Sequence, residues 1–224
     1  MKKQSKDSTF HKFALRRTPR QKRSQILYDK IIATAKILFN QYGYAYVSTN
    51  RIADKANISI GSLYQYFTNR EAIALAVYEE ACSKAALTMK RRTLETLSAP
   101  VEVSVPKLTE WVFDVFEKDR YALLQLINEV PELRRVAQPL SFESLMHHTT
   151  QMFFEQHFTD VDRAVIARKS YIIDKCVIGV IGRYLDERPD FLNKNQAISE
   201  ITEFVTHYAM TLSRHRNTAA VRSP

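Results

Sequence analysis

From Ser24 onward the apolar positions of the chain recur at three- and four-residue steps, the spacing of one face of a helix. Ile31, Ala35, Leu38, Phe39 and Tyr42 make the first such face, and Gly43 follows as a natural C-cap. Ser48 or Thr49 is placed to cap a short helix that turns Ile52, Ala53 and Ala56 inward. Asn57-Ile58-Ser59 reads as a turn. Ile60 to Tyr66 reads as a second short helix with Leu63 and Phe67 towards the core. Thr68-Asn69 caps a longer helix from Arg70 towards Leu97, broken by Ser98-Ala99-Pro100.

The rest of the chain continues in the same pattern. A helix is expected from about Pro106, a good first-turn residue. Others are expected from Asp119 to Val130, closed by Pro131, and from Leu140 to Phe158 after Pro139. Asp160 is the expected cap of a long helix, Val161 to Arg188, stopped by Pro189, and Asn195 to Arg216 is the last. The chain holds only four glycines, Gly43, Gly61, Gly179 and Gly182. Sheet proteins use glycine freely in their turns, so this scarcity supports an all-α fold.

Two short helices joined by a three-residue turn form a helix-turn-helix when the second can lie in the major groove of DNA. The segment from Ser48 to Phe67 has that layout. With Leu63 and Phe67 inward, Ile60, Gly61, Ser62, Gln65 and Tyr66 are left to face outward, with Tyr64 at the edge. An ordinary helical hairpin would share this periodicity.

Charge adds direction. Residues 1–23 carry a net +8, residues 24–92 a net +4 and residues 93–224 a net −3, within a total of +9. A polyanion would therefore meet the N-terminal end. Residues 1–23 read as a basic, disordered arm, either solvated or laid along phosphates and the adjacent minor groove. The helix-turn-helix segment itself carries only Arg51 and Lys55 against Asp54. Affinity is thus expected to come largely from the arm and flanking helices, and sequence reading from the motif.

The stretch from Ile31 to Ala76 resembles the TetR family of bacterial one-component regulators. The resemblance rests on Ala53, Ile58-Ser59, Gly61-Ser62-Leu63-Tyr64, Tyr66-Phe67 and Arg70-Glu71-Ala72. Ser62 stands where the family has Thr, Arg70 where it has Lys and Ile73 where it has Leu. The match covers roughly residues 24–80. It implies an all-helical homodimer with an N-terminal three-helix DNA-binding domain and a larger C-terminal ligand-binding and dimerisation domain. On that reading residues 24–70 bind DNA, residues 71–97 form a connecting helix, residues 98–216 bind ligand and dimerise, and residues 217–224 are a tail.

Carried over by position, Thr49, Asn50 and Arg51 begin the supporting helix, with Thr49 on a phosphate and Asn50 on a base edge or phosphate. Ile60, Gly61, Ser62 and Gln65 line the groove. Tyr64 and Tyr66 touch the backbone, and Arg70 pairs with a phosphate. Ile60 occupies a position that is often Lys in the family. An aliphatic side chain there cannot bind guanine but packs on a thymine methyl.

The C-terminal region is rich in aromatic residues, most of them expected in the core. Trp111, Tyr121, His147, Phe154 and Tyr171 are candidates for an effector pocket between helices. The helix over 161–188 is apolar on more than one side and so must be covered. With Ile201, Phe204, Val205, Tyr208 and Leu212 of 195–216 it is expected to build a four-helix homodimer interface, with Gly179 and Gly182 allowing close approach. The partners expected are thus double-stranded DNA with a pseudo-palindromic operator, a small-molecule effector and a second copy of the chain.

Other functions find little support. His147-His148 point about 100° apart on a helix and have no Cys or carboxylate at metal-ligand spacing. No GxSxG, P-loop or GxGxxG motif is present, and no cofactor or catalytic site is expected. No signal peptide or membrane span is apparent. Cys82 and Cys176 read as buried thiols of a cytoplasmic protein rather than a disulfide. The reading is a DNA-binding repressor released by a ligand. The alternative is a structural DNA-binding protein held by the arm and blind to sequence.

Overall fold

The computed structural model describes residues 22–130, 133 and 141–215. Among these every regular element is helical. In chain order they are α1 (Lys22–Tyr42), a 3-10 turn (Tyr44–Tyr46), α2 (Thr49–Lys55), α3 (Ile60–Tyr64), α4 (Arg70–Thr96) and α5 (Val101–Arg120). A π turn (Tyr121–Gln125), α6 (Leu126–Glu129), α7 (Phe142–His157), α8 (Arg163–Glu187), α9 (Lys194–Met210) and a final 3-10 turn (Thr211–His215) follow. Most of the arm, residues 1–21, and the tail lie outside the described residues, whereas Lys22 and Arg23 belong to α1.

The chain divides into two compact units: Met1–Ser83 with Asp119–Ser141, and Lys84–Lys118 with Phe142–Pro224. In the first, α1 packs on α2 and α2 on α3. Ile31, Ala35, Phe39, Ile52, Leu63 and Phe67 form its fully buried centre. Each large apolar side chain so buried contributes about 1.5–3 kcal/mol, enough to fix helices too short to persist alone. Tyr28 of α1 stacks on Phe67 at 5.2 Å between ring centroids. The second unit centres on α8, which packs against α7 and α9. Ile173, Val177, Ile181 and Leu185 face inward on α8, and Ala197, Ile201, Val205 and Ala209 on α9.

Local chemistry sets most helix starts. Ser48 Oγ accepts the backbone N–H of Arg51 at 3.2 Å, Ser59 Oγ that of Ser62 at 3.0 Å, and Asn69 Oδ1 that of Ala72 at 2.8 Å. Asn193 and Gln196 form a reciprocal capping box on α9. Gly43 takes φ 79° where α1 ends, a conformation that costs glycine little.

Three expectations shift. α5 starts at Val101, so Pro106 lies inside the helix instead of in its first turn. The carbonyl that Pro106 leaves without an N–H belongs to Glu102, on the exposed side, where water can serve it. Asp162, not Asp160, caps α8, accepting the N–H of Ala164 at 2.6 Å. The helix expected over 119–130 is not a separate element. α5 runs on to Arg120 through a non-helical Asp119, and the chain widens into the π turn before α6.

Candidate nucleic-acid interface and second-unit cleft

The turn between α2 and α3 is set by Asn57, which adopts φ 51°. Asn and Asp tolerate that left-handed conformation better than other side chains with a Cβ. Beyond it, Ser59 begins α3 with a double contact: it caps the N–H of Ser62, and the two hydroxyls share a 2.8 Å hydrogen bond. Leu63 anchors α3 from its inner face. Ile60, Gly61 and Gln65 are exposed, and Ser62 is half-buried.

A Cβ added to Gly61 would meet nothing closer than Ser59 Oγ at 3.8 Å, and its φ lies outside the left-handed region. The fold therefore does not require glycine there. What the residue supplies is a side-chain-free patch on the outer face.

Beside this face stand Thr49, Asn50 and Arg51 of α2. Thr49 Oγ1 and Tyr64 Oη share a hydrogen bond of 3.1 Å that ties the two helices together at their outer edge. The Arg51 guanidinium lies 3.8 Å over the Tyr42 ring and donates to the Tyr46 carbonyl at 3.3 Å. Tyr46 is 78% exposed on the same turn, a large aromatic that the helical pattern passes over because it falls between two helices.

One carried-over orientation is corrected, and a second residue has an internal role. Tyr66 does not face outward: it is 5% exposed and meets Tyr28 edge-on at 6.3 Å. α3 ends at Tyr64, and the tight turn after it swings Tyr66 and Phe67 into the core together. Arg70 is half-buried and turned in part towards the protein. Its Nη1 donates to the carbonyls of Tyr44 and Val47, each at 3.1 Å, and its guanidinium lies 4.0 Å over the Tyr44 ring. Arg70 is a brace that holds the 44–47 turn leading into α2.

The same turn is held from another side. The Tyr44 N–H donates to Tyr121 Oη at 2.6 Å and to Glu129 Oε2 at 2.9 Å. Burial, and then the carboxylate beside it, push the Tyr121 phenol well above its ordinary range. Tyr121 is thus a first-unit residue and does not line the cleft found in the second unit.

The second unit contains a cleft of about 70 Å³ that opens to solvent. Trp111 and Phe154 line it, with Met89, Val112, Met146 and Ile173 among their neighbours. Tyr171 does not: it is 54% exposed. His147 is not in the lining either, but its Nδ1 lies 3.1 Å from Oδ2 of Asp174, which is. Asp174 was missed by the sequence reading. The signal available was an acidic residue between Ile173 and Val177 on the apolar face of α8. Burial raises its carboxyl to about 6, opposed by hydrogen bonds from Thr150 and His147.

The interface expectation changes in detail. Ile201, Val205 and Leu212 already lie in the core of this unit. Ile172, Val180 and Phe204 are exposed, and Phe204 stacks on Tyr208 at 5.9 Å. The space around Gly179 is open. Neither Cys82 nor Cys176 is in a disulfide. Among the described residues no group of three or more His, Cys, Asp or Glu gathers to hold a metal ion, and no helix is long and apolar enough to cross a membrane.

Residues 31–77 match the family model for bacterial regulatory proteins of the tetR family. The A-factor receptor protein of Streptomyces griseus is 30% identical over 78 residues, 35% of this chain and 28% of that protein. The HTH-type transcriptional regulator YerO of Bacillus subtilis is 29% identical over 112 residues, 49% of this chain and 39% of that protein. The matched stretches thus span well under two-thirds of either relative. A TetR-family regulator from Mesorhizobium loti has a solved structure that superposes with a TM-score of 0.68 at 17% identity, over 87% of this chain and 98% of that one. At that identity the likeness is one of fold.

Proposed function

The chain belongs to the TetR family of bacterial regulatory proteins, and on that premise we propose that it is a cytoplasmic, dimeric transcriptional repressor released from a pseudo-palindromic operator by a small molecule. The outward face of α3 carries the proposal. It presents Ile60, Gly61, Ser62 and Gln65 from a capped, anchored helix, with Thr49, Asn50 and Arg51 alongside. A helix of this kind reads base edges in the major groove while its supporting helix holds the phosphates. Tyr46 and Tyr64 flank that surface and are suited to backbone contact.

Ile172, Val180 and Phe204 support the dimer, since exposed apolar side chains on two helices packed together are costly to leave in water. Open space at Gly179 would let a second copy approach closely. A dimer sets two recognition helices about 34–36 Å apart, one turn of B-DNA. The second-unit cleft is the effector site in this reading. An effector can release DNA only by binding the released conformation more tightly than the DNA-bound one.

The test is recovery of bound fragments from sheared genomic DNA, followed by binding to the recovered fragment and to a scrambled copy at equal salt. A repressor prefers its site by about 10³ or more. Equal binding to both would mean a sequence-blind DNA binder instead.

A further inference from the structure

The walls of the second-unit cleft are apolar apart from a few groups, and two of these are unusual. Asp174 is 3% exposed. Its Oδ1 accepts a hydrogen bond from Thr150 Oγ1 at 2.7 Å, and its Oδ2 lies 3.1 Å from His147 Nδ1. Each carboxylate oxygen can accept two hydrogen bonds, so both retain accepting capacity on a residue that lines the cleft. Thr93 is 7% exposed and lines the same cleft, yet its Oγ1 has no hydrogen-bond partner. Protein interiors seldom leave a hydroxyl in that state. A tie between α7 and α8 would account for Asp174, Thr150 and His147, but not for a buried, unbonded hydroxyl on α4 in the wall of the same cleft.

The sign of the charge narrows what fits. The lining contains no Lys, Arg or His. A carboxylate or phosphate headgroup would find no counter-charge there and would meet the Asp174 carboxylate. Trp111, Phe153 and Phe154 instead line it with aromatic rings, a residue type whose faces attract cations.

We propose that the cleft takes an apolar organic amine, its ammonium donating to Asp174 and its body lying among Met89, Trp111, Val112 and Phe154, with Thr93 Oγ1 as a second acceptor. This rests on the reading of the cleft as the effector site.

The test is calorimetric titration of the full chain, near neutral pH, with 4-phenylbutylamine, 4-phenylbutan-1-ol and 4-phenylbutanoate, which share one apolar body and differ in the headgroup. The amine is expected to bind about ten-fold or more tighter than the alcohol, because hydrogen bonds between charged groups are roughly twice as strong as neutral ones. The carboxylate is expected not to bind. Asp174→Asn should abolish the preference of amine over alcohol while leaving alcohol binding in place. Carboxylate binding equal to the amine's, an Asp174→Asn chain that keeps the preference, or no binding by any of the three would each overturn the proposal. The headgroup ranking needs only the unaltered chain, so the test survives a variant that fails to fold. DNA binding is followed on the same samples. A chain that binds DNA but none of the three compounds overturns only the amine proposal. Amine binding in the expected ranking, with no effect on DNA, supports the proposal and overturns the repressor-release reading.

Discussion

Tyr121 donates its hydroxyl proton to Glu129 at 2.8 Å, and the same two side chains together receive the backbone N–H of Tyr44. Arg70 holds the carbonyls of that turn, so the lead into α2 is gripped through both its donor and its acceptors. The break at Asp119 and the π turn after it aim Tyr121 at Tyr44, and wide turns of this kind often occur at functional positions.

Tyr121→Phe leaves Glu129 to accept the Tyr44 N–H, and should cost about 1 kcal/mol, the worth of an ordinary hydrogen bond. Adding Glu129→Leu leaves that N–H without an acceptor from either side chain. The double variant should then lose about 1–2 kcal/mol more than the two single changes predict. Denaturant unfolding of the four chains measures the coupling. Strict additivity would remove the shared grip.

Arg70→Ala should destabilise the first unit by about 2–3 kcal/mol, since hydrogen bonds from a charged donor contribute about 1.5–3 kcal/mol. Arg70→Lys should recover only part of this, because an ammonium lacks the planar face that lies on Tyr44. The salt dependence of DNA binding separates a brace from a phosphate contact. Each phosphate contact contributes a slope of roughly −0.9 in log K against log salt. The slope should be unchanged in folded Arg70→Lys or Arg70→Ala, and a drop near one would restore the phosphate role.

Much of this architecture can be read from local chemistry. Ser48, Ser59 and Asn69 mark helix starts because a cap is a contact over two or three residues. Leu63 and Phe67 can be placed inward because period and burial agree. Tyr66 defeats the same reasoning, since it lies two residues past the end of α3 at Tyr64, where helical spacing no longer holds. Asp160 and Asp162 offer the same cap chemistry two residues apart, and tertiary packing selects between them. The contacts of Tyr121 with Tyr44, 77 residues away, have no local signal. Asp174 did have one, an acid on an apolar helical face, but its value depended on knowing that the face lines a cleft.

Gly61 offers a test in which stability and function should move in opposite directions. Its surroundings accept a Cβ without a clash, and alanine is favoured over glycine within a helix by roughly 0.5–1 kcal/mol. Gly61→Ala should therefore raise the unfolding free energy slightly. If the patch exists for close approach to DNA, the same methyl should weaken operator binding about ten-fold, or about 1.4 kcal/mol. Thermal unfolding and operator titration of one preparation check both signs. Unchanged affinity would remove Gly61 from the interface.

Ile60 is 37% exposed at the start of α3 and has no hydrogen-bonding group in its side chain. Its expected partner is a thymine methyl, whereas Lys in its place would favour guanine O6 and N7. Ile60→Lys should shift preference from T towards G at one position of each half-site, by about 1–3 kcal/mol in discrimination. Binding to a library randomised at each position reads this directly. No shift at any position would mean that Ile60 does not face a base.

Asp174 should leave a mark on the pH dependence of stability. Its carboxyl titrates at about 6 in the folded chain against 3.8 for an unperturbed side chain, mainly through burial. Between those values the folded state holds a proton that the unfolded state has released, so this group's contribution falls as pH rises from about 4 through about 6. Each pH unit of separation corresponds to about 1.4 kcal/mol, which puts the whole effect at a few kcal/mol. His147 and Thr150 on α7 face the carboxylate, and the charge of Lys175, next along α8, also acts on it. Asp174→Asn keeps the shape and removes the proton site. Relative to it, the unaltered chain should be more stable near pH 4 than near pH 7 (conditions either side of that window). The same comparison in a His147→Gln background isolates the carboxyl from its neighbour on α7. If the difference between the unaltered and Asp174→Asn chains stays level across the window, the carboxyl is not held in its neutral form by burial.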